Sequence, residues 1–139
     1  MQTNCSACDC QPITAGVLFR DRPTVIARCL QLNGAGHVFA MEHMPKFAAM
    51  TRTELQRQGL SDCATVLDAP LVADGGESQW YGADALPDGA MDLLLVDGPL
   101  ACAGDSSRYP AGPKLFPRLS ANGTVFVKNA KRPEDRAVI

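Results

Sequence analysis

The chain has 139 residues, enough for one domain with a real core but few for a complete doubly wound enzyme. Hydrophobic residues make up 46% and charged residues 20%, an ordinary globular balance, and a net charge of −2 argues against nucleic acid or an anionic membrane as partner. No apolar stretch approaches the roughly 18 residues that span a bilayer, and the first residues are polar and cysteine-bearing, so a cytoplasmic protein is the expectation.

The N-terminal cluster Cys5-x-x-Cys8-x-Cys10 could supply three thiolate ligands to zinc but lacks a fourth ligand nearby, because His37 and His43 lie far along the chain. A loose, reducible tail without metal is expected. Cys29 and Cys63 sit among apolar residues and read as small buried side chains.

From Asp21 the pattern turns helical. Pro23 suits a first turn, Val25, Ile26, Cys29 and Leu30 form an apolar stripe, and Asn33-Gly34 ends it. Residues 37–42 follow as a strand. Pro45 opens a second helix with Phe47, Met50 and Leu55 on one face and Gly59 at its end, and Met41, Met44 and Met50 read as packing residues. Residues 64–69 form the next strand, before a Gly-rich acidic loop over 74–88 with a short helix near Trp80. Residues 91–97 are the clearest strand. Prolines at 110, 113 and 117 break up a helix and leave Leu115, Phe116 and Leu119 to pack. Asn122-Gly123 then turns into a strand over 124–127, and Pro133 starts a last helix. Strands separated by helical segments predict right-handed crossovers and a parallel α/β sheet.

Two strands end in acid: His37-Val38-Phe39-Ala40-Met41-Glu42, and Met91-Asp92-Leu93-Leu94-Leu95-Val96-Asp97-Gly98-Pro99. In open α/β sheets ligands bind outside the carboxyl ends of the strands, so carboxylates there are candidate ligand contacts. The plain alternatives are a solvated strand end for Glu42, a turn-capping Asp68, a loop residue in His43, and a simple turn at Asp97-Gly98.

The order and spacing of these pieces, with Ala64-Thr65-Val66-Leu67-Asp68-Ala69-Pro70-Leu71 between them and Arg108-Tyr109-Pro110 after them, resemble the class I S-adenosylmethionine-dependent methyltransferases. The likeness runs from about Pro23 to the end. It implies a Rossmann-like parallel sheet flanked by helices, incomplete relative to a full class I enzyme, over residues 23–139, with residues 1–22 an atypical segment. It implies S-adenosylmethionine as cofactor. Glu42 would accept from both ribose hydroxyls, since a carboxylate has the two oxygens required. Asp68 and Ala69 would lie beside adenine, with His43 and Gly98 also in the cofactor-binding set. Asp97 would face the transferred methyl, as general base or metal ligand.

Three departures accompany the likeness. The family's Gly-rich turn after the first strand is replaced by Gly16-Val17-Leu18-Phe19-Arg20-Asp21-Arg22, where side chains stand in place of glycines. The sequence ends soon after the fifth strand of the family pattern, so an uncovered sheet edge and a homo-oligomer are expected. Lys128-Asn129 stands where this subgroup tends to carry acids; Asn129 could ligate through its carbonyl but Lys128 opposes a cation, so no metal is expected. Two functions follow: a methyltransferase with an unidentified acceptor, or a catalytically inactive Rossmann-like module acting in protein assembly.

Overall fold

A computed structural model describes residues 14–17 (as backbone), 22–75, 79–82, 86–99 and 108–128. The cysteines at 5, 8, 10 and 102, Asn129 and the helix expected after Pro133 lie outside the described residues.

In chain order the elements are β1 (Thr14–Val17), α1 (Arg22–Asn33), β2 (His37–Glu42), α2 (Pro45–Arg57), β3 (Ala64–Asp68), β4 (Leu71–Ala73), β5 (Gln79–Tyr81), β6 (Met91–Val96), α3 (Ala111–Leu115), a 3-10 turn (Phe116–Arg118) and β7 (Leu119–Val127). Five strands form one sheet in the order β3-β2-β1-β6-β7, parallel at every junction. The chain builds outward from β1 in one direction, then returns to build in the other. That is the doubly wound pattern, with its switch point between β1 and β6. The four strands expected from sequence are present, and a fifth, the central β1, comes from the segment set apart as atypical: Thr14–Val17 pairs with both β2 and β6.

Two helices cover one face. On α1 the residues turned inward are Pro23, Ala27 and Leu30, spaced at i, i+4 and i+7. The expected stripe is therefore displaced: Val25 is 63% exposed and Cys29 also faces out, because the small Ala27 lets the helix lie close to the sheet. On α2 the inward residues are Ala48, Thr51 and Leu55, while Phe47 is half-buried and Met50 exposed. Met44 is likewise exposed, so of the three methionines read as packing residues only Met41 is buried. Cys63 is half-buried rather than enclosed. Pro45 starts α2 where its missing N–H costs nothing. The helix ends on Gly59 at φ +65, with Gly59 N–H donating to Gln56 O at 3.1 Å and Leu60 N–H to Leu55 O at 2.9 Å. Those two bonds satisfy carbonyls that the helix leaves open, and Leu55 and the fully buried Leu60 share the core beneath.

On the opposite face Met41, Ala69, Trp80, Tyr81, Leu86, Met91, Leu94, Val96, Ala111 and Leu115 form a second cluster. The helix expected near Trp80 is instead strand β5, antiparallel to β4 with Val72 opposite Trp80. Trp80 is 1% and Tyr81 3% exposed there, so two successive residues of this short ribbon are buried in the cluster. Between Met91 and Leu93 the partner strand advances from Leu119 to Thr124, a large bulge that holds the expected Asn122-Gly123 turn. A Cβ on Gly123 would stand 3.0 Å from Met91 O and 3.1 Å from Leu119 Cβ, so a side chain there would crowd the bulge and push its neighbours aside. No helix among the described residues is long and apolar enough to cross a membrane.

Candidate functional site

Strand register places the two acids. Val17 of β1 is level with Ala40 on one side and Leu95 on the other. Glu42 and Asp97 each lie two residues further along, so they stand at one height and flank the line of β1 at the carboxyl edge. Two inter-strand spacings put their backbones about 10 Å apart. Asp68, level with Glu42 on β3, completes the row on the same edge.

Glu42 is nearly enclosed, its side chain 11% exposed. Oε1 accepts from Met44 N–H at 2.9 Å, which also helps turn the chain into α2. His43 Nδ1 lies 3.3 Å from the same oxygen and is buried with no hydrogen-bond partner among the described residues. Its ring meets Tyr81 edge-on, with centroids 5.9 Å apart. Burial first, then the charge of Glu42, raises the Tyr81 phenol above the ordinary tyrosine range, so it is neutral. Glu42 Oε2 has no protein partner among the described residues.

Asp97 is 3% exposed and holds two cations: Arg22 Nε at 2.8 Å from Oδ2, and Lys128 Nζ at 3.1 Å from Oδ1. Arg22 begins α1 and Lys128 follows β7, so this carboxylate ties the neighbouring elements at the edge. Arg108, itself 6% exposed, donates to Asp97 O at 3.1 Å and Lys128 O at 3.2 Å. Gly98 is buried and begins the loop beyond, where the Gly98–Pro99 peptide is cis.

Asp68 is turned outward at 63% exposure and pairs with Arg52 at 2.8 Å, Arg52 also donating to Val66 O. Ala69 is fully buried, its N–H donating to Glu42 O at 2.9 Å. The structure thus brings Glu42, His43 and Tyr81 together, sets Asp97 opposite with its cations, and leaves Asp68 at the flank. Tyr81 and Arg22 were not singled out by sequence, and Arg108 entered only through the likeness of Arg108-Tyr109-Pro110, with no role given to it. Tyr81 was hidden in a segment expected to be a loop, and Arg22 carries no motif. Among the described residues no three His, Cys, Asp or Glu side chains converge as a metal site. Two surface depressions, one of about 220 Å³ between Arg52 and Thr65 and one of about 310 Å³ beside Arg28, are lined by none of Glu42, His43, Tyr81 or Asp97.

The sequence matches no protein-family model and no curated protein. Solved structures do match. A methyltransferase, described as putative, from Thermoplasma acidophilum superposes with a TM-score of 0.61 at 11% identity, over 91% of this chain and 48% of its own. Precorrin-6y C5,15-methyltransferase from Geobacter metallireducens gives 0.58 at 19% identity, over 91% and 58%. An rRNA methylase, also so described as putative, from Clostridium thermocellum gives 0.57 at 19% identity, over 81% and 60%. The chain therefore spans roughly half of each of these proteins. With its parallel five-stranded sheet, doubly wound order and acids at the carboxyl edge, this chain has the Rossmann-like fold of the class I S-adenosylmethionine-dependent methyltransferases.

Proposed function

We propose that this chain is the cofactor-binding part of an S-adenosylmethionine-dependent methyltransferase, with Glu42 accepting hydrogen bonds from the two ribose hydroxyls. The observation that carries this reading is the place of Glu42: an almost enclosed carboxylate beside the switch point, one oxygen fixed by Met44 N–H and the other without a protein partner among the described residues. A bound cofactor would supply an electrophilic methyl on a sulfonium. His43 and Tyr81 form the wall beside the carboxylate, and Asp68 and Ala69 mark the side on which adenine would lie. Gly98 would border the cofactor from β6.

Asp97 would face the acceptor. As a general base it takes a proton on Oδ1 or Oδ2, and in this structure both face cations, so its action requires Arg22 or Lys128 to shift. Those same cations oppose a metal ion.

The test is calorimetric titration with S-adenosylhomocysteine. Removing two charge-assisted hydrogen bonds, each worth roughly 1.5–3 kcal/mol, makes Glu42→Ala bind at least about tenfold more weakly. Glu42→Gln, which keeps one acceptor, loses less. No heat and no chemical-shift change at millimolar ligand would replace this reading with the inactive assembly module.

A further inference from the structure

Arg22 and Lys128 converge on one carboxylate. Two cations against a single anion leave a local excess of positive charge, and their charged ends are neighbours because both lie within 3.3 Å of Asp97 oxygens. Each is about half exposed, at 45% and 42%, whereas Asp97 is sealed at 3%. The buried carboxylate therefore holds the two half-exposed cationic heads side by side.

The closest approach of Arg22 to Asp97 is through Nε, and the side chain is 45% exposed. A planar, half-exposed guanidinium matches a carboxylate or phosphate. Lys128 adds a point charge beside it. A second anion bridging the heads would relieve their mutual repulsion, and Asp97 has already restricted both side chains, which lowers the ordering cost of binding. Position gives this meaning: the pair lies at the β6–β7 end of the edge, about 10 Å from Glu42 across β1.

We propose that Arg22 and Lys128 form an anion subsite of the ligand cleft, taking a carboxylate or phosphate group of the molecule that lies across β1 from Glu42. This rests on the methyltransferase reading for its ligand but not for its charge geometry. The anion belongs either to the methyl acceptor, which would make the acceptor an acid or a phosphoester, or to the amino-acid end of the cofactor.

Inorganic phosphate is the probe, followed by NMR at the Arg22 Nε–H and backbone resonances and by calorimetry, with Arg22→Gln and Lys128→Gln as variants. Each variant leaves Asp97 one cation, so the buried carboxylate stays paired and the fold persists; circular dichroism checks this. Phosphate should shift Arg22 in the wild type and bind about fivefold or more weakly to each variant, since each removes one charge-assisted contact. Repeating the titration with saturating S-adenosylhomocysteine, and with 5′-methylthioadenosine, which lacks the amino-acid end, separates the two sources. Phosphate binding that survives both assigns the subsite to the acceptor. Binding blocked by S-adenosylhomocysteine alone assigns it to the cofactor carboxylate. Equal phosphate affinity in wild type and both variants, or no shift at Arg22, overturns the subsite. Failure of both nucleosides to bind overturns the cofactor reading and leaves the phosphate result standing.

Discussion

Replacing Asp97 with asparagine keeps its shape and removes its charge, which isolates the ionic part of the edge. The side chain is 3% exposed and faces two cations at 2.8 and 3.1 Å. Breaking a buried ion pair from one side costs about 3–5 kcal/mol, because the remaining charge is stranded. Here Arg22 and Lys128 are half exposed and can recover water, so the loss should fall to about 2–3 kcal/mol. For a domain of this size each kcal/mol moves Tm by about 3 °C, giving a drop of roughly 6–9 °C. The matched control is Asp68→Asn, an acid on the same edge whose pair with Arg52 is open to solvent on both sides, 43% and 63% exposed. That change should cost less than about 1 kcal/mol. Urea melts of the two variants, with m unchanged, make the comparison free of unfolded-state effects. Equal losses in Asp97→Asn and Asp68→Asn would refute the claim that burial makes Asp97 the anchor of this edge.

Trp80→Ala empties a 1% exposed site in the core and should lose about 3–5 kcal/mol by denaturant melt. Gly123→Ala forces a Cβ to 3.0 Å from Met91 O and should lose about 1–3 kcal/mol, with hydrogen exchange rising first along β7. The Tyr81 phenol holds its proton more tightly folded than unfolded, so its contribution is complete below about pH 10 and is lost as pH rises beyond that value. Ultraviolet titration should therefore show Tyr81 ionising only together with alkaline unfolding.

Strands were legible where burial on both faces writes a continuous apolar run, as in Leu93-Leu94-Leu95-Val96, and helix ends where Pro45 and Gly59 have one geometric use. The stripe of α1 was misplaced because Val25 and Cys29 look more apolar than Ala27, although closeness to the sheet selects the small side chain. β5 escaped because three residues carry too little alternation to compete with the glycines and acids around Trp80. β1 escaped for a similar reason: four residues beside an unfamiliar turn. The acids at the strand ends could be placed on one edge because parallel strands fix where their carboxyl ends lie. Their partners could not, since Arg22 and Lys128 meet only through tertiary structure.

The central place of β1 has a consequence for assembly in time. Its one neighbour, β2, follows almost at once, but the other, β6, pairs Ala15 with Leu93 and so arrives after most of the chain has emerged. Closing so long a loop is costly in entropy and is repaid only when the whole strand docks. Until then β1 presents an open parallel edge, and β2 and β3 with their two helices must hold it in waiting. A ribosome-bound chain halted before residue 91 would thus display half a sheet, with Glu42 in place and the strand that carries Asp97 still to come. Docking of β6 would complete the sheet's interior and bring Asp97 into line with Glu42 in a single event.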